Sequence, residues 1–68
     1  MKELVEKVLA RTGYPHLEPT ESNLISVFLD YTAHGVFNEF TYDQAKQDIE
    51  DGDITLKRIC YNLLNISN

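Results

Sequence analysis

Sixty-eight residues allow one domain, and a chain this short hides only about 60% of the surface that its unfolded form exposes. Eleven acids against six bases give a net charge of −5, which disfavours direct binding to nucleic-acid phosphates, and a single cysteine rules out a disulfide within the chain. The longest apolar-leaning stretch, residues 24–37, is broken by Ser26, Asp30, His34 and Gly35, so it is too short and too polar to span a bilayer.

The first predicted helix covers about residues 2–12. Met1, Leu4, Val5, Val8 and Leu9 recur at helical spacing on one stripe, with Glu3 and Lys7 opposite as an i,i+4 pair. Gly13 stands where a left-handed C-cap is expected. Pro15 and Pro19 then forbid helix, and residues 14–19 read as an extended connector pinned by Tyr14 and Leu17.

Thr20 is a good N-cap for a second helix over about residues 21–34, with Glu21 favourable in its first turn. Leu24, Ile25, Val27, Phe28, Leu29, Tyr31 and Thr32 cover more than half of this helix's circumference, and Asn23, Ser26 and Asp30 form a narrow polar strip. A surface helix needs an apolar stripe of only about 100°. This one is therefore central to the fold, or it also faces a partner. Gly35 stops it, and Val36 and Phe37 are expected to fold back as apolar anchors.

The third helix, about residues 42–51, opens on Thr41-Tyr42-Asp43-Gln44, a capping box with Phe40 placed as a hydrophobic staple. Tyr42, Ala45 and Ile49 make its expected buried edge, and Gly52 ends it. Asp53 or Thr55 caps a fourth helix, about residues 54–65, whose inner face carries Leu56, Ile59, Cys60, Leu63 and Leu64. No stretch alternates with period two. The predicted fold is all-α: a compact bundle of four short helices in a single domain, with the second helix central.

Chemistry is harder to find. The acid run 48–53 lacks the EF-hand pattern, because a loop starting at Asp48 puts Gly52 at position 5 and Ile59 where the bidentate acid belongs. His16, His34 and Cys60 show no metal-ligand spacing. Their ordinary readings suffice: a connector residue, a cation welcome at a helix C-terminus, and a small core filler. The three glycines are helix stops and form no phosphate-binding loop. The expectation is a protein with no catalytic residues, no cofactor and no metal.

Two surfaces break the pattern of mere folding. Residues 43–53 hold Asp43, Asp48, Glu50, Asp51 and Asp53 against Lys46 alone, a local net of −4. Asp48, Glu50 and Asp51 crowd the end of a helix whose macrodipole disfavours negative charge. Pairing of Lys46 with Glu50 and of Asp53 with Lys57 would make this corner self-compensated; otherwise, with Gln47 beside it, it is a binding patch for a basic protein surface. The second surface is Tyr61, which projects away from the apolar stripe of the fourth helix, beside Arg58; it either lies along a neighbouring helix or serves as a binding hot spot.

The candidate partner-binding residues are thus Asp43, Gln47, Asp48, Glu50, Asp51, Asp53, Arg58 and Tyr61. The expected function is stoichiometric modulation of a larger protein with a basic surface, without nucleic acid or membrane. Small accessory or counter-defence proteins of phages and mobile elements share this profile, as an analogy of type. A lone cysteine and the lack of a signal segment suggest a cytoplasmic setting. Two alternatives stand beside this reading: a self-assembling structural domain, and a helix-turn-helix-like DNA-binding regulator whose acid-bordered turn and two cations, Lys57 and Arg58, count against it.

Overall fold

A computed structural model describes residues 2–37 and 40–67, and among them four helices and no strands are present: α1 Lys2–Arg11, α2 Glu21–Ala33, α3 Tyr42–Asp51 and α4 Leu56–Ser67. Met1, assigned above to the α1 stripe, lies outside the described residues. Only α2 packs against all three other helices; α1 and α4 also pack on each other, whereas α3 rests on α2 alone. The fold is all-α with α2 central, as its broad apolar circumference requires.

That circumference is directed inward. Leu24, Val27, Phe28 and Thr32 are buried, and Ile25, Leu29 and Tyr31 pack partly buried against the core. Val5, Val8 and Leu9 come from α1, Ile59, Cys60 and Leu63 from α4, and α3 contributes only Ala45 to the fully buried set. Thr32 tolerates burial because its hydroxyl donates to the Leu29 carbonyl at 2.8 Å. No large hydrophobic side chain of α2 is left exposed, so this helix offers no exposed apolar stripe to a partner.

The helix ends follow one device. At the end of α3, the Gly52 amide donates to the Ile49 carbonyl and the Asp53 amide to the Asp48 carbonyl, at 3.2 and 2.8 Å. This is the Schellman arrangement, and it needs the left-handed backbone that Gly52 adopts at φ 76°. The same pairs close α1 at Gly13 and Tyr14, and α2 at Gly35 and Val36. Thr55, immediately before α4, caps it: its Oγ1 accepts from the Arg58 amide at 3.2 Å. α4 therefore starts at Leu56, two residues later than the pattern suggested, and runs on to Ser67.

Other expectations are corrected. The connector is not extended, since the Leu17 amide donates to the Tyr14 carbonyl at 3.2 Å and turns the chain at Pro15. Tyr14 and Leu17 do pack on the core. Val36 is no anchor, being 44% exposed; its amide is used in the α2 cap and its side chain points away. Phe37 does fold back. Phe28, Phe37 and Phe40 form a cluster with ring centroids 5.3 to 5.9 Å apart, in tilted and edge-to-face geometry.

Phe40 thus ties α3 to α2. Tyr42, expected on the buried edge of α3, is 42% exposed. At the other end of α2, the Tyr31 hydroxyl donates to the Thr12 carbonyl at 3.0 Å, joining α2 to the end of α1. Burial, with the Tyr14 and Asp30 oxygens nearby, pushes the Tyr31 hydroxyl above its usual value, partly offset by the Thr12 side chain.

Candidate partner-binding surface

α3 displays its acids on a helix held from one side only. Thr41 Oγ1 accepts from the Gln44 amide at 3.2 Å, completing half of the predicted capping box. The reciprocal half is absent, because Gln44 Nε2 donates instead to Asp48 Oδ1 at 2.9 Å. Three residues on, Gln47 Nε2 donates to Asp51 Oδ1 at 3.0 Å. Both acceptors are therefore oriented by neutral amides, which fix a carboxylate without cancelling its charge.

The expected self-compensation does not form. Among the described residues the one acid–base contact is His34 Nδ1 to Asp30 Oδ1 at 3.6 Å, and neither Lys46–Glu50 nor Asp53–Lys57 closes. Each failure has a local reason. Lys46 precedes Glu50, the poorer order for an i,i+4 pair in the field of the helix. Asp53 lies outside both helices, its backbone bound into the α3 cap, so it is not at helical spacing from Lys57. Exposed pairs are worth only about 0–1 kcal/mol, too little to overcome such geometry.

The cluster itself divides. Asp43, Gln47, Glu50 and Asp51 are exposed, Asp48 is half-buried, and Asp53 is exposed beyond the cap. Ala45 and Ile49 turn toward the core, so Asp43, Gln47, Glu50 and Asp51 form the outward surface of α3, with the exposed Lys46 at its side.

Arg58 and Tyr61 stand apart from this face on α4, a helix whose backbone does not approach that of α3. Tyr61 does not lie along a neighbour: it is 51% exposed, the highest value among the exposed large hydrophobic side chains described. With Thr55, Lys57 and Arg58 it lines an open recess of about 390 Å³. Thr55 and Lys57 were not among the candidate partner-binding residues. Their spacing could have shown them, because Lys57 and Arg58 precede Tyr61 by four and three residues and so share its side of a helix.

The remaining chemistry-bearing residues do not converge. His16 and His34 are exposed, and the His34 ring lies 2.7 Å from the Asp30 carbonyl at the end of its own helix. Cys60 is fully buried, and burial raises its thiol above the usual value. No group of three His, Cys, Asp or Glu side chains among the described residues is placed to hold a metal ion. No described helix is long and apolar enough to cross a membrane. The Asn62 Nδ2 atom is buried without a hydrogen-bond partner among the described residues, and no sequence signal foretold it.

Comparison with protein-family models, curated proteins and solved structures finds no match to this chain.

Proposed function

We propose that this chain is a stoichiometric binding protein whose acidic α3 face docks on the basic surface of a larger protein and modulates it. The observation that carries this reading is the excess negative charge of Asp43, Glu50 and Asp51 on one exposed face, where the neighbouring Lys46 forms no ion pair with any of them. Such a face speeds encounter with a basic partner and selects against acidic ones. Crowding Glu50 and Asp51 at the C-terminal end of α3 opposes the helix dipole, a local disadvantage that folding alone does not call for.

The competing readings have less support. Self-assembly through α2 would use Val27 or Leu29, yet Val27 is 3% exposed and Leu29 is packed on the core. A helix-turn-helix would pack its two helices together, whereas the α3 and α4 backbones do not approach each other.

Affinity capture from source cells tests the proposal, with wild type and Glu50→Lys/Asp51→Lys run side by side. The expected result is one dominant larger protein on the wild type, released at about 1 M salt, where the Debye length is about 3 Å, and lost from the variant. No enrichment, or equal recovery on both baits, would refute it.

A further inference from the structure

We infer that the Lys57–Arg58–Tyr61 face of α4 is a second docking surface, and that its occupant is the acidic α3 face of another copy of this chain. Lys57 and Arg58 are both exposed, and no described acid is in contact with either. Beside them Tyr61 is 51% exposed at an open recess, so cations and an aromatic ring lie on one side of one helix. The chain supplies the complementary surface itself, in Asp43, Glu50 and Asp51 on α3.

The two surfaces do not meet within one molecule. No described acid–base contact joins them, and the α3 and α4 backbones do not approach each other. Pairing must therefore be between copies, and it is heterologous, since the surface each copy offers differs from the one it receives. Such contacts propagate unless their rotation closes a ring. One helix face on a body of 27 × 22 × 16 Å is small beside the roughly 800 Å² per partner of a stable complex, so the association is weak and reversible.

Charge decides its salt dependence. Each copy carries −5 overall, and that repulsion acts across the whole body, while the ion pairs act at contact distance. At about 10 mM salt the Debye length is about 30 Å and net repulsion reaches across both copies. At about 0.15 M it is about 8 Å, which removes the long-range repulsion and leaves the contacts; at about 1 M the contacts weaken as well. Association is strongest at intermediate salt. An apolar dimer would instead tighten steadily as salting-out rises.

The same α3 face serves a copy or the larger partner proposed above, never both together. The two readings remain separable, because Lys57→Gln/Arg58→Gln removes self-association and leaves the α3 face intact for the partner.

Sedimentation velocity on the full chain, from micromolar to millimolar concentration, tests the inference. Wild type is expected to show a concentration-dependent rise in mass that peaks near 0.15 M salt. Lys57→Gln/Arg58→Gln and Glu50→Gln/Asp51→Asn are each expected to associate at least about tenfold more weakly. Mixed together, each supplies the face that the other lacks, and the mixture is expected to stop at a one-to-one pair. A monomer of 7.8 kDa under every condition would overturn the inference. So would a dimer that ignores both pairs of substitutions, or a mixture that gives no mixed pair.

Discussion

Replacing Phe40 with alanine should loosen α3 selectively and leave the rest of the bundle in place. α3 rests on α2 alone and buries only Ala45 completely, so Phe40 carries much of its attachment through the rings of Phe28 and Phe37 at 5.7 and 5.9 Å. Truncating a fully buried phenylalanine costs about 3–5 kcal/mol, and half of that, about 2 kcal/mol, suits a half-buried ring. The two aromatic contacts, worth about 0.5–1.5 kcal/mol each, fall in the same range and are part of that figure. Detached, a helix of 10 residues falls below the roughly 12–15 that hold together alone in water.

Hydrogen exchange read by mass spectrometry or NMR measures the effect directly. Amides of α3 should exchange about thirtyfold faster in Phe40→Ala, the equivalent of about 2 kcal/mol, while those of α1 and α4 stay close to wild type. Equal acceleration in α1 and α4 would show that α3 is not a separable unit. No acceleration in α3 would show that the phenylalanine cluster does not hold it.

Three further outcomes follow from the same geometry. Asp51→Asn should raise thermal stability by about 0.3–1 kcal/mol at low salt, since it relieves the helix dipole and keeps an oxygen for Gln47, while weakening partner capture; a loss of stability would contradict this. Asn62→Leu should stabilise by about 1–2 kcal/mol in chemical denaturation by removing a buried amide without a partner, and a destabilised variant would mean the amide is satisfied in solution. Cys60 should resist a thiol reagent near pH 8 until urea is added. Its raised thiol and that of the Tyr31 hydroxyl bind protons more tightly in the folded chain, so their contribution is complete below the unfolded values and declines as pH climbs from about 8.5 past about 10. A midpoint of denaturation that rises across that range would be the opposite sign.

Much of the architecture was legible because it depends on short-range rules. The caps at Thr20 and Thr41 and the glycine stops at Gly13, Gly35 and Gly52 need only a few neighbouring residues, and all five appear. The breadth of apolar residues on α2 correctly placed it at the centre.

What pattern could not decide was which of two competing arrangements forms. Asp53 could cap α4 by type, but it lies in the turn that finishes α3, and Thr55, next to the first residue of α4, makes the cap. Gln44 could complete a capping box, but Asp48 lay within reach along the helix. Periodicity put Tyr42 on the inner edge of α3, without showing that Phe40 would make the contact with α2 and leave that ring 42% exposed.

At the candidate site, residue type identified the acids and Tyr61, and geometry then separated them. Asp48 is a half-buried flank, Asp43, Glu50 and Asp51 are the outward face, and Arg58 and Tyr61 belong to a different surface. The sequence also left α2 open as a partner-facing helix, and only packing shows that its apolar side chains are used inside.

Where a captured partner touches the chain decides most directly whether α3 is the binding surface. Backbone amide shifts recorded by NMR on labelled protein, with and without that partner, should move around Asp43, Gln47, Glu50 and Asp51 while the core amides of α1 and α2 stay fixed. Shifts centred on α1, or spread evenly through the bundle, would contradict the claim that this molecule works through the outward charge of α3.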